Sequence, residues 1–194
     1  MQSRLKFRPF MIVFGLVLAL VLLPLLLNMR TKAANTKVTS TYSQASFIKE
    51  VAPVAQKLSK AYGVKASVLI AQVAQSTDYG SNLLAVRYHN YLGVLAQPGD
   101  ARIVLTTQSY EKGKWETVKQ PYKIYENWQD SLYDYMEEIS AGMWGKQLYT
   151  TLATTEEYTT AARALQKAGV DTDPEYANKL IAIIQGKNLT QYDK

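Results

Sequence analysis

Residues 71–80 read AQVAQSTDYG, the end of an apolar stretch that runs into a glycine turn. Leu69, Gln72, Val73 and Ser76 recur at i, i+3, i+4 and i+7, which is one face of a helix predicted over residues 65–77. Ser76 then projects from the last turn of a buried helix, a rigid place from which to aim a side chain. The trio Gln75-Ser76-Thr77 puts a run of uncharged polar groups at that helix end, and what they do there is the question the rest of the chain has to answer.

On the C-terminal side, SNLLAVRYH predicts a short helix and NYLGV a turn. The stretch ARIVLTTQSYEKGKWETVKQPYKIY is rich in Val, Ile, Thr and Tyr around the turn signal Glu111-Lys112-Gly113-Lys114. It predicts a β-hairpin, with a third strand through Tyr122 to Tyr125. Asn127-Trp128-Gln129-Asp130 is a helix-opening cap, and Thr154-Thr155-Glu156-Glu157 opens a further helix that Gly169 closes. Asp173-Pro174 is expected to cap the last helix, with the proline at its first position. On the N-terminal side, Phe47, Ile48, Val51, Val54, Ala55 and Leu58 form an apolar helical face that stops at Gly63, and Pro53 is expected to kink or break it. The fold class is α+β, mostly α, with a small β-hairpin lobe.

Farther upstream, Pro9 to Met29 is a run of 21 residues without a charge. A bilayer core of roughly 30 Å needs about 20 such residues in a helix. Residues 9–29 therefore read as a transmembrane signal-anchor. Residues 1–8 form a basic cytoplasmic tail, because Arg4, Lys6 and Arg8 precede the run while Arg30 and Lys32 follow it. The domain is expected on the extracellular side of the cell membrane; secretion after signal cleavage near Thr31-Lys32-Ala33 is the alternative. Residues 30–45, small, polar and without apolar period, read as a flexible linker, leaving residues 46–194 as one domain.

Charge and composition exclude several classes. Five of the 22 basic residues lie in the N-terminal segment, which leaves 17 against 16 acidic ones and no basic stripe for nucleic acid. The absence of cysteine removes disulfides and thiolate metal sites. The single histidine, His89, argues against a zinc site or a Ser-His-Asp triad, and no metal or cofactor is expected.

Five motifs in order, FIKEVAPVAQKLSKAYGVKASVLIAQVAQSTDYGSN, YHNYLGV, TTQSYEKGKW, YKIYENWQDSLYDY and AGVDTDPEYANKLIAIIQGKNLTQYD, resemble the glucosaminidase domains of bacterial autolysins and flagellar muramidases, glycoside hydrolase family 73. The resemblance covers about residues 46–193. It implies a lysozyme-like fold, a cleft between a helical lobe and the hairpin lobe, and a peptidoglycan glycan strand as ligand.

The departures from the family pattern fall on the chemistry. The family motif is similar to AQxALES, and its Glu, the general acid, corresponds to Ser76. The Glu of the family's Thr-x-Glu-Tyr, the usual second carboxylate, corresponds to Ser109, and a cleft tyrosine before Ala-Thr-Asp-Pro corresponds to Val170. A serine hydroxyl is too weak an acid to protonate a leaving oxygen near neutral pH, and loss of one general acid costs about 10²- to 10⁴-fold in rate. Asp78, Glu111 and Glu116 are the available substitutes. Asp78 suits a helix-end role, whereas Glu111 and Glu116 flank a turn where charge faces solvent.

Aromatic rings that could stack on sugars include Tyr79, Tyr88, Tyr91, Trp115 and Trp128, with Tyr125 and Trp144 as further members of the set. Motif position favours the cleft for Tyr79 and Tyr91 and the core for Tyr125 and Trp128. His89, Asp171 and Asp173 read as structural, the aspartates as caps. Three functions remain open. The first is a membrane-anchored pseudoenzyme that binds peptidoglycan or a cell-wall enzyme; the second is an active hydrolase using relocated carboxylates; the third is a protein-binding module that regulates wall synthesis.

Overall fold

The computed structural model describes residues 11, 12, 14, 18, 31–38 and 43–193. The basic tail and most of the expected anchor over 9–29 lie outside the described residues, and among the described ones no helix is long and apolar enough to cross a membrane. The chain divides into two units, residues 1–32 and 33–194, and the second carries everything that follows.

Seven helices, one hairpin and a final 3-10 turn are found among the described residues of this unit. They are α1 (Gln44–Tyr62), α2 (Ala66–Thr77), α3 (Leu83–Tyr88), β1 (Arg102–Glu111), β2 (Lys114–Lys123), α4 (Trp128–Ala141), α5 (Lys146–Thr154), α6 (Tyr158–Lys167), α7 (Tyr176–Gly186) and the turn Leu189–Tyr192. The mostly helical class with a two-stranded antiparallel sheet agrees with the sequence reading.

Helix α2 is central. Every residue from Ala66 to Ala74 is buried, and a helix apolar on nearly all sides has to sit inside its neighbours. It packs against α1, α6, α7 and the 3-10 turn. Its first turn has no cap from Lys65. The cap comes instead from Asp193, whose carboxylate accepts from the Ser67 amide at 2.8 Å and the Ser67 hydroxyl at 2.7 Å. A carboxylate at a helix N-terminus satisfies free amides and complements the macrodipole, so the end of the chain fixes the start of the central helix. Helix α1 continues through Pro53 without a break, because the proline lies on its exposed side, where the freed carbonyl meets solvent.

The hairpin turns at Lys112-Gly113, both with positive φ (49° and 83°), the geometry that matches the twist of paired strands. Tyr122 pairs with Ile103 inside β2, which ends at Lys123, so the expected third strand is the end of the second. Pro174 is likewise not the first helical residue. Asp173 accepts from the Glu175 amide at 2.8 Å in a turn that precedes α7.

The larger difference concerns the expected linker. Within 30–45, residues 33–38 are held by backbone hydrogen bonds: Ala34 donates to the Thr106 carbonyl at 2.8 Å, Leu83 to Thr36 at 2.8 Å, Leu84 to Ala34 at 3.1 Å and Val38 to Ser81 at 2.6 Å. Ala34 is buried with Leu83, Leu84, Leu105 and Tyr122 in a small second core. The segment was not legible as an element because its residues have no apolar period; pairing with the open edge of β1 and with the start of α3 is a tertiary event.

Two substitutions test this framework. Ala34→Asp would place an unpaired charge in the small core and cost at least about 2 kcal/mol, lowering the Tm by about 5 °C or more; an unchanged Tm would return the segment to a free tether. Gly80 has φ 75°, and a Cβ there would stand 2.6 Å from Phe47 Cε2. Gly80→Ala is therefore expected to cost about 2 kcal/mol or more, read as a lower urea midpoint.

Candidate functional site

The stretch 71–80 builds the wall of a cleft, and each residue of its polar trio has a separate task. Thr77 is buried and closes the helix: its hydroxyl donates to the Val73 carbonyl at 2.6 Å and accepts from the Gly80 amide at 2.8 Å. Beyond it Asp78, Tyr79 and Gly80 all take positive φ, a sharp reversal that aspartate and glycine tolerate better than most residues. Asn82 locks the reversal. Its amide donates to the Ser76 carbonyl at 2.6 Å while its side-chain oxygen caps α3 by accepting from the Ala85 amide at 2.9 Å. Ser76 is left exposed on the last turn of α2, and Gln75 lies beside it with its Oε1 buried.

Two adjoining depressions form the cleft between this helix end and the hairpin. The first, about 320 Å³, includes Asn35, Gln72, Gln75, Ser76, Asp171 and Tyr176 in its lining. The second, about 360 Å³, includes Ser109, Gln120, Glu138, Trp144 and Thr172. Leu92, Gly93, Thr107, Tyr122, Tyr135 and Val170 line both. The Tyr110 amide donates to the Thr172 hydroxyl at 2.9 Å, tying the hairpin to the loop before α7.

The floor is organised by Gln72, which is 4% exposed. Its Nε2 donates to the Tyr135 hydroxyl at 2.5 Å and to the Tyr176 hydroxyl at 3.1 Å. Burial pushes both phenols above their ordinary values; the Gln72 hydrogen bond opposes that shift in each. Both rings therefore stay neutral, and each phenol that accepts from Gln72 keeps a proton to donate. Glu138 stands apart among the carboxyls. It is pushed up to about 7, first by burial and then by the neighbouring Asp134, against the opposing charge of Lys123.

The residues singled out from sequence divide. Ser76, Ser109 and Val170 all line the cleft. Asp78, Glu111 and Glu116 do not. Asp78 accepts from the Ser81 hydroxyl at 2.8 Å and lies 3.6 Å from Lys37 Nζ, which makes it part of the turn. Glu111 is exposed and accepts from the Ser109 hydroxyl at 3.2 Å, and Glu116 pairs with Lys114 at 2.7 Å.

Apart from Trp144, none of the expected sugar-stacking set lines either depression. Tyr91 stacks on Trp128 at 5.2 Å and lies 5.9 Å from the buried Phe47 ring, which Tyr79 meets edge-on at 6.3 Å. Tyr88 packs against the small core, and the exposed Trp115 meets Tyr110 at the hairpin tip. Tyr125 is core, its hydroxyl donating to Asp134 at 2.6 Å. His89 caps α3 in the left-handed region with Nδ1 3.1 Å from the Tyr125 carbonyl. Trp144 does reach the cleft, against Tyr135 at 5.7 Å.

The aromatic lining is thus Tyr122, Tyr135, Tyr176 and Trp144, together with the carboxylates Asp171 and Glu138. The sequence did not mark most of these. Tyr135 shares the spacing of Leu132, Met136 and Ile139 and so looks like core, and nothing local shows that its edge is left open to a cleft.

Comparison with known proteins places this geometry. The chain is 33% identical over 152 residues to the exo-glucosaminidase LytG of Bacillus subtilis, covering 78% of this chain and 54% of that protein. It is 31% identical over 157 residues to a probable N-acetylmuramidase of Lactococcus lactis, covering 79% of this chain and 36% of that protein. The chain therefore spans about half or less of the length of these relatives. The catalytic domain of the autolysin Auto from Listeria monocytogenes superposes with a TM-score of 0.68 at 29% identity, covering 80% of this chain and 91% of that one. The family model described as mannosyl-glycoprotein endo-beta-N-acetylglucosaminidase matches residues 52–189, from within α1 to the last 3-10 turn. With both walls of the cleft inside that match, the chain belongs to the glucosaminidase family, glycoside hydrolase family 73.

Proposed function

We propose that the domain holds a peptidoglycan glycan strand in the cleft and does not cut it by the family's route. The carrying observation is the pair of serines: Ser76 lines the first depression and Ser109 the second, at the positions where the resemblance puts the two carboxylic acids. A glycosidase needs a proton donor of raised pKa at the leaving oxygen, and the second carboxylate stabilises the developing cation or activates water. Serine does neither. The polypeptide scaffold of the cleft is intact around it, with neutral phenols at Tyr135 and Tyr176 and ring surface at Tyr122 and Trp144 suited to sugar faces. The ligand class is supported by the relatives, whose names describe glucosaminidases, muramidases and peptidoglycan hydrolases.

A second reading, hydrolysis by relocated carboxylates, is favoured by Glu138 and Asp171, which line the cleft where Asp78, Glu111 and Glu116 do not. Glu138, held up at about 7, has the protonation a general acid needs. Incubation of the full chain with insoluble peptidoglycan separates these readings. We expect the chain to sediment with the wall and to release no reducing ends. Release that disappears in Glu138→Gln or Asp171→Asn would establish the hydrolase instead, and neither sedimentation nor release would favour a protein-binding regulatory module.

We further propose that residues 9–29 anchor the domain to the cell membrane with residues 1–8 in the cytoplasm, supported by the uncharged run and its basic flanks. The expected result is full-length chain in carbonate-washed membranes, digested by protease added outside the cell. Mature chain in the medium starting near Ala33 would show cleavage and secretion.

A further inference from the structure

The second depression has an apolar side. Leu95, Val118, Met143 and Trp144 line it, and Leu95 and Met143 are large apolar side chains that the fold leaves exposed. Among the described residues Glu138 is the one charged group in that lining, and its carboxyl makes no hydrogen bond and no ion pair. The cation nearby is already engaged. Lys123 Nζ lies 2.6 Å from Asp134 and 3.6 Å from Asp100, and Asp134 also accepts from the Tyr125 hydroxyl at 2.6 Å.

Asp134 and Glu138 stand one turn apart on α4, an i, i+4 pair of like charge. Three carboxyls therefore share one ammonium, and Glu138 is the one left without a donor. The groups that face it are Asp134 and Tyr135 from its own helix, Lys123 at the end of β2, Tyr125 in the loop that follows and Asp100 in the loop before β1. Asp171, in the first depression, is the other charged residue of the cleft. The acidity of Glu138 agrees with this setting, since burial first and Asp134 second hold it up at about 7.

A glycan built of neutral sugars brings no charge, and closing one over this carboxyl removes the water that solvates its ionised form. No cation in the lining takes the place of that water, so the complex favours the neutral carboxyl, which has an O–H to donate. Sugar hydroxyl, ring and acetamido oxygens all accept. Resting on the glycan-binding reading above, we propose that Glu138 binds the glycan in the second depression as a neutral carboxylic acid, donating its O–H to a sugar oxygen and taking up a proton as the complex forms.

The coupling has a fixed sign. Below about pH 7 Glu138 is already neutral and affinity is at its highest. As pH rises above that value each glycan bound must draw a proton from solvent, and affinity falls until the higher value of the complex is passed.

The test is calorimetric titration of the full chain, in detergent, with the tetramer of N-acetylglucosamine, which is uncharged throughout. We expect binding about tenfold tighter at about pH 5.5 than at about pH 8.5, and uptake of about half a proton per glycan near pH 7.5, read from buffers of different ionisation enthalpy. Glu138→Gln keeps a donor and cannot titrate, so its affinity should be independent of pH and its proton uptake zero. Glu138→Ala should weaken binding several-fold at about pH 5.5 without lowering the Tm at about pH 8.5, where a carboxylate lacking a partner stabilises nothing; a purely structural role would lower both.

Affinity that does not change with pH overturns the proposal and leaves glycan binding standing, and so does release of a proton on binding. A pH dependence that survives in Glu138→Gln assigns the proton to another group, with His89 the first to examine, and overturns it as well. Undiminished binding by Glu138→Ala at about pH 5.5 removes the donor role. Failure of the wild-type chain to bind either the tetramer or the wall removes the glycan-binding reading together with this one.

Discussion

The buried amide of Gln72 is the point on which the cleft depends. It sits on the central helix and donates to phenols from two other helices, Tyr135 on α4 and Tyr176 on α7. Three elements far apart in sequence are thereby brought to one place. A polar side chain this deep is tolerated only with partners, since a buried amide without them costs on the order of 1–3 kcal/mol. Folding therefore closes around the pairing, and the pairing sets the depth and polarity of the floor. Both phenols are driven to stay neutral, which keeps the floor hydroxylic.

Around that point the walls follow from local chemistry. Thr77 and Asn82 hold the reversal after α2 through hydrogen bonds to Val73, Gly80, Ser76 and Ala85. The reversal fixes where the last turn of α2 ends, and hence where Ser76 stands. Residues 33–38 contribute from the opposite end of the sequence, pinned to β1 and α3 through backbone bonds that place Asn35 in the lining. A segment of this kind is part of the site as much as of the tether.

On the proposed reading, this architecture with serine at residues 76 and 109 separates two properties that glycosidases normally combine. Binding uses hydroxyls, ring faces and shape, all of which survive the exchange of glutamate for serine. Proton transfer requires a group whose acidity is matched to the leaving oxygen, and a hydroxyl fails that requirement by many pKa units. The carboxylates present in the cleft, Asp171 and Glu138, occupy other positions and shape its field.

Much of this was legible in sequence where the signal is local. The spacing of Leu69, Gln72, Val73 and Ser76 gave the central helix and the side from which Ser76 projects, and Lys112-Gly113 gave the hairpin turn. The order of motifs led to the family, and with it to the expectation that Ser76, Ser109 and Val170 lie on one cleft. Tertiary structure decided the rest. Trp128 and Tyr91 face each other at 5.2 Å in the partly buried layer over the core, while Tyr135 and Trp144 reach the cleft. Periodicity cannot distinguish these, because a ring at helical spacing packs inward whether or not a neighbour leaves its edge uncovered. The same limit hid the docking of residues 33–38, whose hydrogen bonds to β1 and to the start of α3 are made by backbone. Sequence alone set serine at residues 76 and 109; only the packing of helices and hairpin decided which groups stand around them, because proximity across a cleft is a property of distant segments brought together.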